Sequence, residues 1–509
     1  MRVENSIKNI KSGIISQIIS TLLAFITRTV FIYTLGLEYL GIEGLFTNIL
    51  AILSLANIGM ETAIIFNLYK PIENNDKYKI KGYMSFYERI YKKIGVFIFI
   101  VGLMLIPFLD KIINTDIIIE ESIVLIYLLF LINTSISYFY VYKHSILRAA
   151  QKTYIISNMH TKFVLISNIT QIVMLFVFRA YIPVIVMQII CRILENIYIS
   201  KIADEQYPFL NDKNIQSDLS IENKKKLYKD IYSMLLYKIS ATVINSTDNI
   251  VISYFVGISK VGIYSNYLLI ISTVKTFTSY IFSSLTASVG NLIVSSDNEK
   301  KKFMYNQILF TSFWIYGFCS IAFYILFNDF IIIWLKNEKF LLSQFTIIII
   351  IINFYTAGMQ GASTMYRDTT GLFNIGKYRP IVAAIINLSV SIILAKKLGI
   401  SGVILGTIVS RLCIYFWFDP YVIHKYIFKT DISNYFRKYL EYTLVIVIIA
   451  NLTNLICDLI TAESMYVMFI SKVIICLVLP NILLYILYHK NKHFKYILNI
   501  GLNIIKRKI

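Results

Sequence analysis

Charge is scarce in this chain, at 15% of 509 residues, while apolar residues make up 57%. Soluble globular chains average roughly 45–50% apolar, and a mean hydropathy of +0.67 points the same way. That shortage excludes an ordinary soluble domain. Cysteine is scarce too. Cys191, Cys319, Cys413, Cys457 and Cys476 all sit inside apolar runs without paired or metal-like spacing. This excludes a disulfide framework or a cysteine metal centre and leaves them as small buried hydrophobes. A cleavable leader is also missing: the first apolar run, from about Gly13 to Leu35, is too long for a signal sequence and lacks a small-residue cleavage site.

What is present is a series of apolar runs. About 20 mostly apolar residues cross a bilayer, and fourteen such spans are expected at roughly 12–35, 41–66, 94–114, 121–142, 160–180, 183–200, 232–256, 262–294, 306–327, 339–366, 379–395, 401–423, 441–460 and 465–488. The fold class is therefore an all-α polytopic membrane protein. Basic residues outnumber acidic ones, 49 to 29, but they do not form a nucleic-acid patch. Thirty-six of the 49 fall in alternate gaps and at both termini, seven fall in the other gaps, and six lie inside spans. Positive charge is retained in the cytoplasm, so both termini are expected there, in a multi-pass membrane protein. Gaps on the opposite side are short, the longest near 108–120, leaving no outer loop able to hold an enzyme active site. The basic tail after residue 489 reads as retention charge or as an interfacial helix.

The chain is written twice. A shift of 221 positions lays residues 233–270 over 12–49, so that Gly257 falls on Gly36, Gly262 on Gly41, Ile263 on Ile42 and Tyr254 on Tyr33. The expected organisation is an N-lobe of spans one to six (1–200), a cytoplasmic linker (201–231), a C-lobe of spans seven to twelve (232–423), and two further spans with a basic tail (424–509). Six spans per lobe make the repeat parallel, a design common among secondary transporters with a substrate site between the halves. The two hairpins are then expected to face each other across a cavity.

Charged groups inside spans are costly and mark functional sites by default. Six cations qualify: Arg28, Arg192, Lys238, Lys275, Arg411 and Lys472. Arg28 and Lys275 lie deep and are expected either to line a cavity or to form internal ion pairs. Arg192 has Glu195 three residues on, which would neutralise it on a helix. Arg411 has no such neighbour. Lys238 is close enough to the cytoplasmic face to snorkel, and Lys472 is equally shallow and outside the repeat. Asp248 reads as the one carboxylate well inside a span of the repeat. With Asn245 and Asn249 it forms a candidate site for H⁺ or Na⁺ coupling, or else a partner for a cavity cation. The excess of deep cations suits an anionic substrate, arginine being well shaped for phosphate.

Four stretches carry a family resemblance: residues 28–72 (RTVFIYTLGLEYLGIEGLFTNILAILSLANIGMETAIIFNLYKPI), LRAAQKTYIIS (147–157), STDNIVISYFVGISKVGIYSNYLLI (246–270) and MYRDTTGLFNIGKYRP (365–380). They resemble the polysaccharide (O-antigen-type, Wzx-like) flippases of the MATE/MOP exporter superfamily, over residues 1 to about 425. The resemblance implies a two-lobed transporter of 12–14 helices with a cationic cavity, moving undecaprenyl-diphosphate-linked oligosaccharide between leaflets. It implies Arg28 as the match to a cavity arginine of the related lipid II flippases. Asn57 stands where relatives often carry an acid. Implied partners are the lipid-linked oligosaccharide and, beyond it, a polysaccharide polymerase and glycosyltransferases, with no cofactor, metal or nucleic acid. The alternatives are another exporter of the superfamily, for lipid II or drugs, and a membrane glycan polymerase or ligase.

Overall fold

The computed structural model describes residues 2–113, 119–212, 246–295, 297–370 and 378–506, with a few isolated positions between these blocks. Among the described residues every regular element is helical. In chain order the helices are α1 (Arg2–Leu35), α2 (Leu37–Leu53), α3 (Leu55–Glu73), α4 (Lys77–Leu105), α5 (Ile123–Ser137), α6 (His144–Ala149), α7 (Thr153–Phe178) and α8 (Tyr181–Gln206). A helical segment at 246–255 follows. Then come α9 (Ile258–Ser295), α10 (Asn298–Leu335), α11 (Gln344–Thr369), α12 (Arg379–Leu398), α13 (Ile400–Ile423), α14 (Ser433–Asp458), α15 (Met465–Tyr488) and α16 (Lys492–Lys506). Eleven helical stretches among the described residues are long and apolar enough to cross a membrane. In lipid the backbone must satisfy its own hydrogen bonds, which is why apolar runs of this length become helices. The chain is an all-α polytopic membrane protein.

Several boundaries differ from the sequence expectation. The second span is not one helix: the chain breaks at Ser54 and divides it into α2 and α3. The gap at 67–93 is largely helical, because charged residues outside the bilayer carry a helix as readily as apolar ones inside it. Its turn is set by Asp76, which caps α4 by accepting the Lys79 N–H at 3.0 Å. That bond holds the Asp76 carboxyl below its usual range. α10 likewise begins at Asn298, before the expected 306. Span seven falls mostly on residues outside those described.

The chain forms two compact units, Met1–Ser265 and Asn266–Ile509. In the first, Phe46, Tyr127, Leu131 and Tyr181 are fully buried, with Phe46 set edge-on to Tyr127 at 5.1 Å between centroids. In the second, α14 and α15 pack on α10 through an aromatic cluster. Phe313 stacks on Tyr442 at 4.2 Å, and Tyr488 lies edge-on to Phe313 at 5.5 Å.

The repeat is visible in the backbone of the first unit. Gly36 and Gly257, equivalent under the 221-residue shift, both take a left-handed conformation, with φ of 93° and 112°. Only glycine does so without a steric penalty, so each loop is punctuated the same way. Equivalent residues also meet. Ser259 Oγ donates to Glu38 Oε1 at 3.2 Å. A Cβ on Gly41 would lie 2.2 Å from the Ile258 carbonyl oxygen, and one on Gly262 would lie 2.5 Å from that of Leu37. Copies of one motif that touch at matching positions have the geometry of a local two-fold axis. At this end the hairpins are in contact rather than apart.

Candidate functional site

In the first unit, three helices line a cavity of about 460 Å³ with a polar wall. Glu43 comes from α2, Asn133, Thr134 and Ser137 from α5, and Gln188 and Arg192 from α8. The local fold positions each of them. Glu121 caps the start of α8, accepting the N–H groups of Tyr181 and Ile182 at 2.9 and 2.8 Å. A carboxylate at a helix N-terminus is the favourable polarity. Tyr181 is then held edge-on to Phe31 at 5.1 Å and Tyr39 at 5.6 Å. Gln188 donates to Gln171 Oε1 at 2.9 Å, tying α8 to α7.

Arg28 on α1 donates through Nη2 to Ser265 Oγ and lies within electrostatic reach of Glu43 and Tyr181. Arg192 donates through Nε to Ser137 Oγ at 3.3 Å and lines the cavity. Glu195, the expected partner of Arg192, turns instead to His160, whose Nδ1 lies 2.9 Å from Oε1. A partner on a neighbouring helix has replaced the i,i+3 pair.

Glu43 escaped sequence reasoning, and Asp248 is not the one carboxylate inside a span of the repeat. Glu43 sits only two residues into the expected second span, where an acid reads as an interface residue. The signal that would have found it is its place between Gly41 and Gly44, two small residues that let neighbouring helices close around it. Asp248 lies on the 246–255 segment within electrostatic reach of Tyr264. Asn249 beside it is buried and packs toward Gly44. Asn245 and Lys238 lie outside the described residues, as does the side chain of Asn57. Glu61, also unremarked in the sequence, pairs with Arg148 of the LRAAQKTYIIS motif.

The second unit arranges its charges differently. Lys275 is exposed on α9 and lies within electrostatic reach of Arg411 on α13. Arg411 donates from Nη1 to the Asn353 carbonyl at 2.8 Å and to Thr356 Oγ1 at 3.4 Å. The structure thus brings together two cations that lie 136 positions apart in sequence. From Arg411 a polar seam runs along the α11–α13 contact. Asn353, Thr356, Gln360 and Arg367 recur at helical spacing on α11, opposite Arg411, Tyr415 and Asp419 on α13. The seam ends in a buried cluster: Asp419 and Arg367 are 1% and 2% exposed. Arg367 Nη1 lies 3.2 Å from Asp419 Oδ1, Arg379 Nη1 contacts the same oxygen, and Gln360 donates to Oδ2 at 3.3 Å. Arg367 also donates to the Ile375 carbonyl at 2.9 Å, and Arg379 lies over the rings of Tyr415 and Phe418 at 4.9 and 5.1 Å. The resemblance stretch 365–380 is therefore held to α13 by charge. Lys472 is not merely shallow: it pairs with Asp329 at 2.7 Å.

No family model matches the chain, and no curated protein does. Solved structures do. The chain superposes on the lipid II flippase MurJ in an inward closed conformation with a TM-score of 0.63 at 17% identity, covering 94% of this chain and 98% of that one. It superposes on a mutant of the Vibrio cholerae MATE transporter VcmN with a TM-score of 0.59 at 13% identity, covering 85% and 99%. An inward-facing multidrug MATE transporter of the MOP superfamily gives 0.57 at 16% identity, covering 80% and 95%. The likeness shows the fold. It is the fold of MATE-like transporters and flippases, over nearly the whole chain.

Proposed function

We propose that this protein is a flippase that moves an undecaprenyl-diphosphate-linked oligosaccharide from the inner to the outer leaflet of a bacterial cytoplasmic membrane by alternating access, for surface polysaccharide assembly. The fold supports transport. The observation that carries the choice of substrate is the cationic character of the groups left inside spans: Arg28 and Arg192 in one unit, Lys275 and Arg411 in the other. A diphosphate offers such groups charge-assisted hydrogen bonds. A carrier of cationic drugs would need the opposite balance. Lipid II is also a diphosphate, and the glycan is the part of the substrate that separates it from an oligosaccharide repeat unit.

Transport is coupled in this reading to entry of H⁺ or Na⁺ through a carboxylate inside a span. Asp248 with Asn245 and Asn249 is one candidate, and Glu43 in the polar cavity is a second. The polymerase and glycosyltransferases of the same pathway are its working partners. Complementation tests the proposal. A strain lacking its polysaccharide flippase regains surface polysaccharide with the wild-type gene and fails to with Arg28→Ala plus Lys275→Ala. Equal rescue by both genes refutes the cationic recognition of substrate.

A further inference from the structure

A second cavity of the first unit has a different lining. Its volume is about 430 Å³, and it runs along the contact of α1 and α7 in the first unit. Its wall is mixed. Ile15, Ile155 and Met159 supply apolar surface, and Ser12, Asn158 and Lys162 supply polar groups among them. Both helices enter the membrane at this level: the apolar part of α1 starts at Lys11 and that of α7 at Thr153. The charge distribution puts both starts on the cytoplasmic side. The groove is also built rather than incidental. Asn9 donates to the Gln151 carbonyl at 3.0 Å and accepts the Tyr154 N–H at 2.7 Å, fixing the start of α7 against α1. Ser12 Oγ donates to Asn158 Oδ1 across it.

Charge says what fits. Lys162 is the only charged residue of the lining among the described residues. Lys11 is exposed one position before Ser12, and the Lys8 Nζ lies 5.9 Å from the Tyr154 ring. The carboxylate nearest in sequence on α8, Glu195, is taken by His160. A trough that sets Lys162 beside apolar side chains, at the level where headgroups meet acyl chains, complements an anionic phospholipid.

We propose that this groove binds an anionic glycerophospholipid of the cytoplasmic leaflet, with Lys162 and Lys11 at its phosphate and an acyl chain against Ile15, Ile155 and Met159. None of the proposed substrate cations lines this groove, and its occupant is a resident lipid.

Native mass spectrometry of the purified full-length protein, titrated with phosphatidylglycerol or phosphatidylcholine, tests it. Wild type is expected to retain phosphatidylglycerol in preference to phosphatidylcholine. Lys162→Gln lowers phosphatidylglycerol binding about fivefold, the effect expected for one lysine near an anionic surface. Lys162→Arg restores it. Ser12→Trp, which fills the trough, removes the tightest bound lipid, while Lys111→Gln, in a gap on the opposite side of the first unit's spans, changes nothing. Elution volume and melting temperature report folding for each variant. Equal retention of the two lipids, unchanged binding in both Lys162→Gln and Ser12→Trp, or displacement of phosphatidylglycerol by a polyisoprenoid diphosphate at equal concentration overturns the proposal.

Discussion

The two units treat a buried carboxylate in opposite ways. In Met1–Ser265, Glu43 lines an open polar cavity, with Arg28 in electrostatic reach and Arg192 on the same wall. In Asn266–Ile509, Asp419 is 1% exposed and clamped by two arginines and a glutamine. Desolvating a carboxylate is tolerable only when partners replace the lost water. Asp419 has a full set of partners and no access, which is how a charge serves architecture. Glu43 keeps space around it, which leaves it able to exchange a partner. One carboxylate is thus sealed into the packing and the other faces a cavity, and neither outcome follows from how deep either lies in the sequence.

The largest effect that would break this contrast belongs to Asp419. Asp419→Ala leaves two buried guanidinium groups uncompensated, which costs about 3–5 kcal/mol. Thermal unfolding in detergent should show a large drop, and a melting temperature near wild type would mean the cluster is not structural. Next comes the helix contact in the first unit. Gly41→Ala puts a methyl group against the Ile258 carbonyl, where 2.2 Å is available. Overpacking of this kind costs about 1–3 kcal/mol, and the same thermal measurement checks it. Glu43→Gln sharpens the other side of the comparison. It should change stability by less than about 1 kcal/mol, since cavity-facing groups contribute little, while altering how transport depends on pH or Na⁺. If Glu43→Gln leaves that dependence untouched and Asp248→Asn abolishes it, coupling belongs to the 246–255 segment.

The smallest expected effect concerns the C-terminal helix α16, which docks on α10 through His493. Its Nδ1 lies 3.1 Å from Gln307 Oε1, and its backbone carbonyl accepts from Gln307 Nε2 at 3.1 Å. Burial, reinforced by Lys438 and Lys492, pulls the His493 imidazole down to about 4. A histidine whose folded value lies below its unfolded value favours the neutral ring. Its contribution is therefore complete above the ordinary value near 6.5 and is lost as pH falls toward about 4. The protection factors of α16 amides, corrected for the intrinsic slowing of exchange at low pH, should fall between pH 6.5 and 4.5 in wild type and show no such step in His493→Gln.

The fold was legible because its signals are strong and repeated. Apolar length gives membrane helices, and Gly36 and Gly257 mark the same turn in both copies with the same backbone conformation. The site was legible only in part. Arg28, Arg192, Lys275 and Arg411 stand out because a cation within an apolar run is conspicuous. That Lys275 approaches Arg411, or that Glu195 answers His160 rather than Arg192, depends on helix rotation, which neither composition nor spacing specifies. Glu43 and Asp419 were missed for a common reason: both lie near the ends of apolar runs, where an acid looks solvated. Packing alone decides that one faces a cavity and the other is sealed between helices.

The central proposal is that the cations left inside spans recognise a diphosphate. Reconstituted flipping in proteoliposomes tests this most directly, comparing an undecaprenyl-diphosphate-linked oligosaccharide with the same glycan on an uncharged lipid. Wild type should move the charged substrate and leave the neutral one, and Arg28→Gln with Lys275→Gln should lose the charged substrate while keeping the wild-type melting temperature. Equal movement of both lipids by wild type, or an unchanged rate in the double variant, would contradict the account.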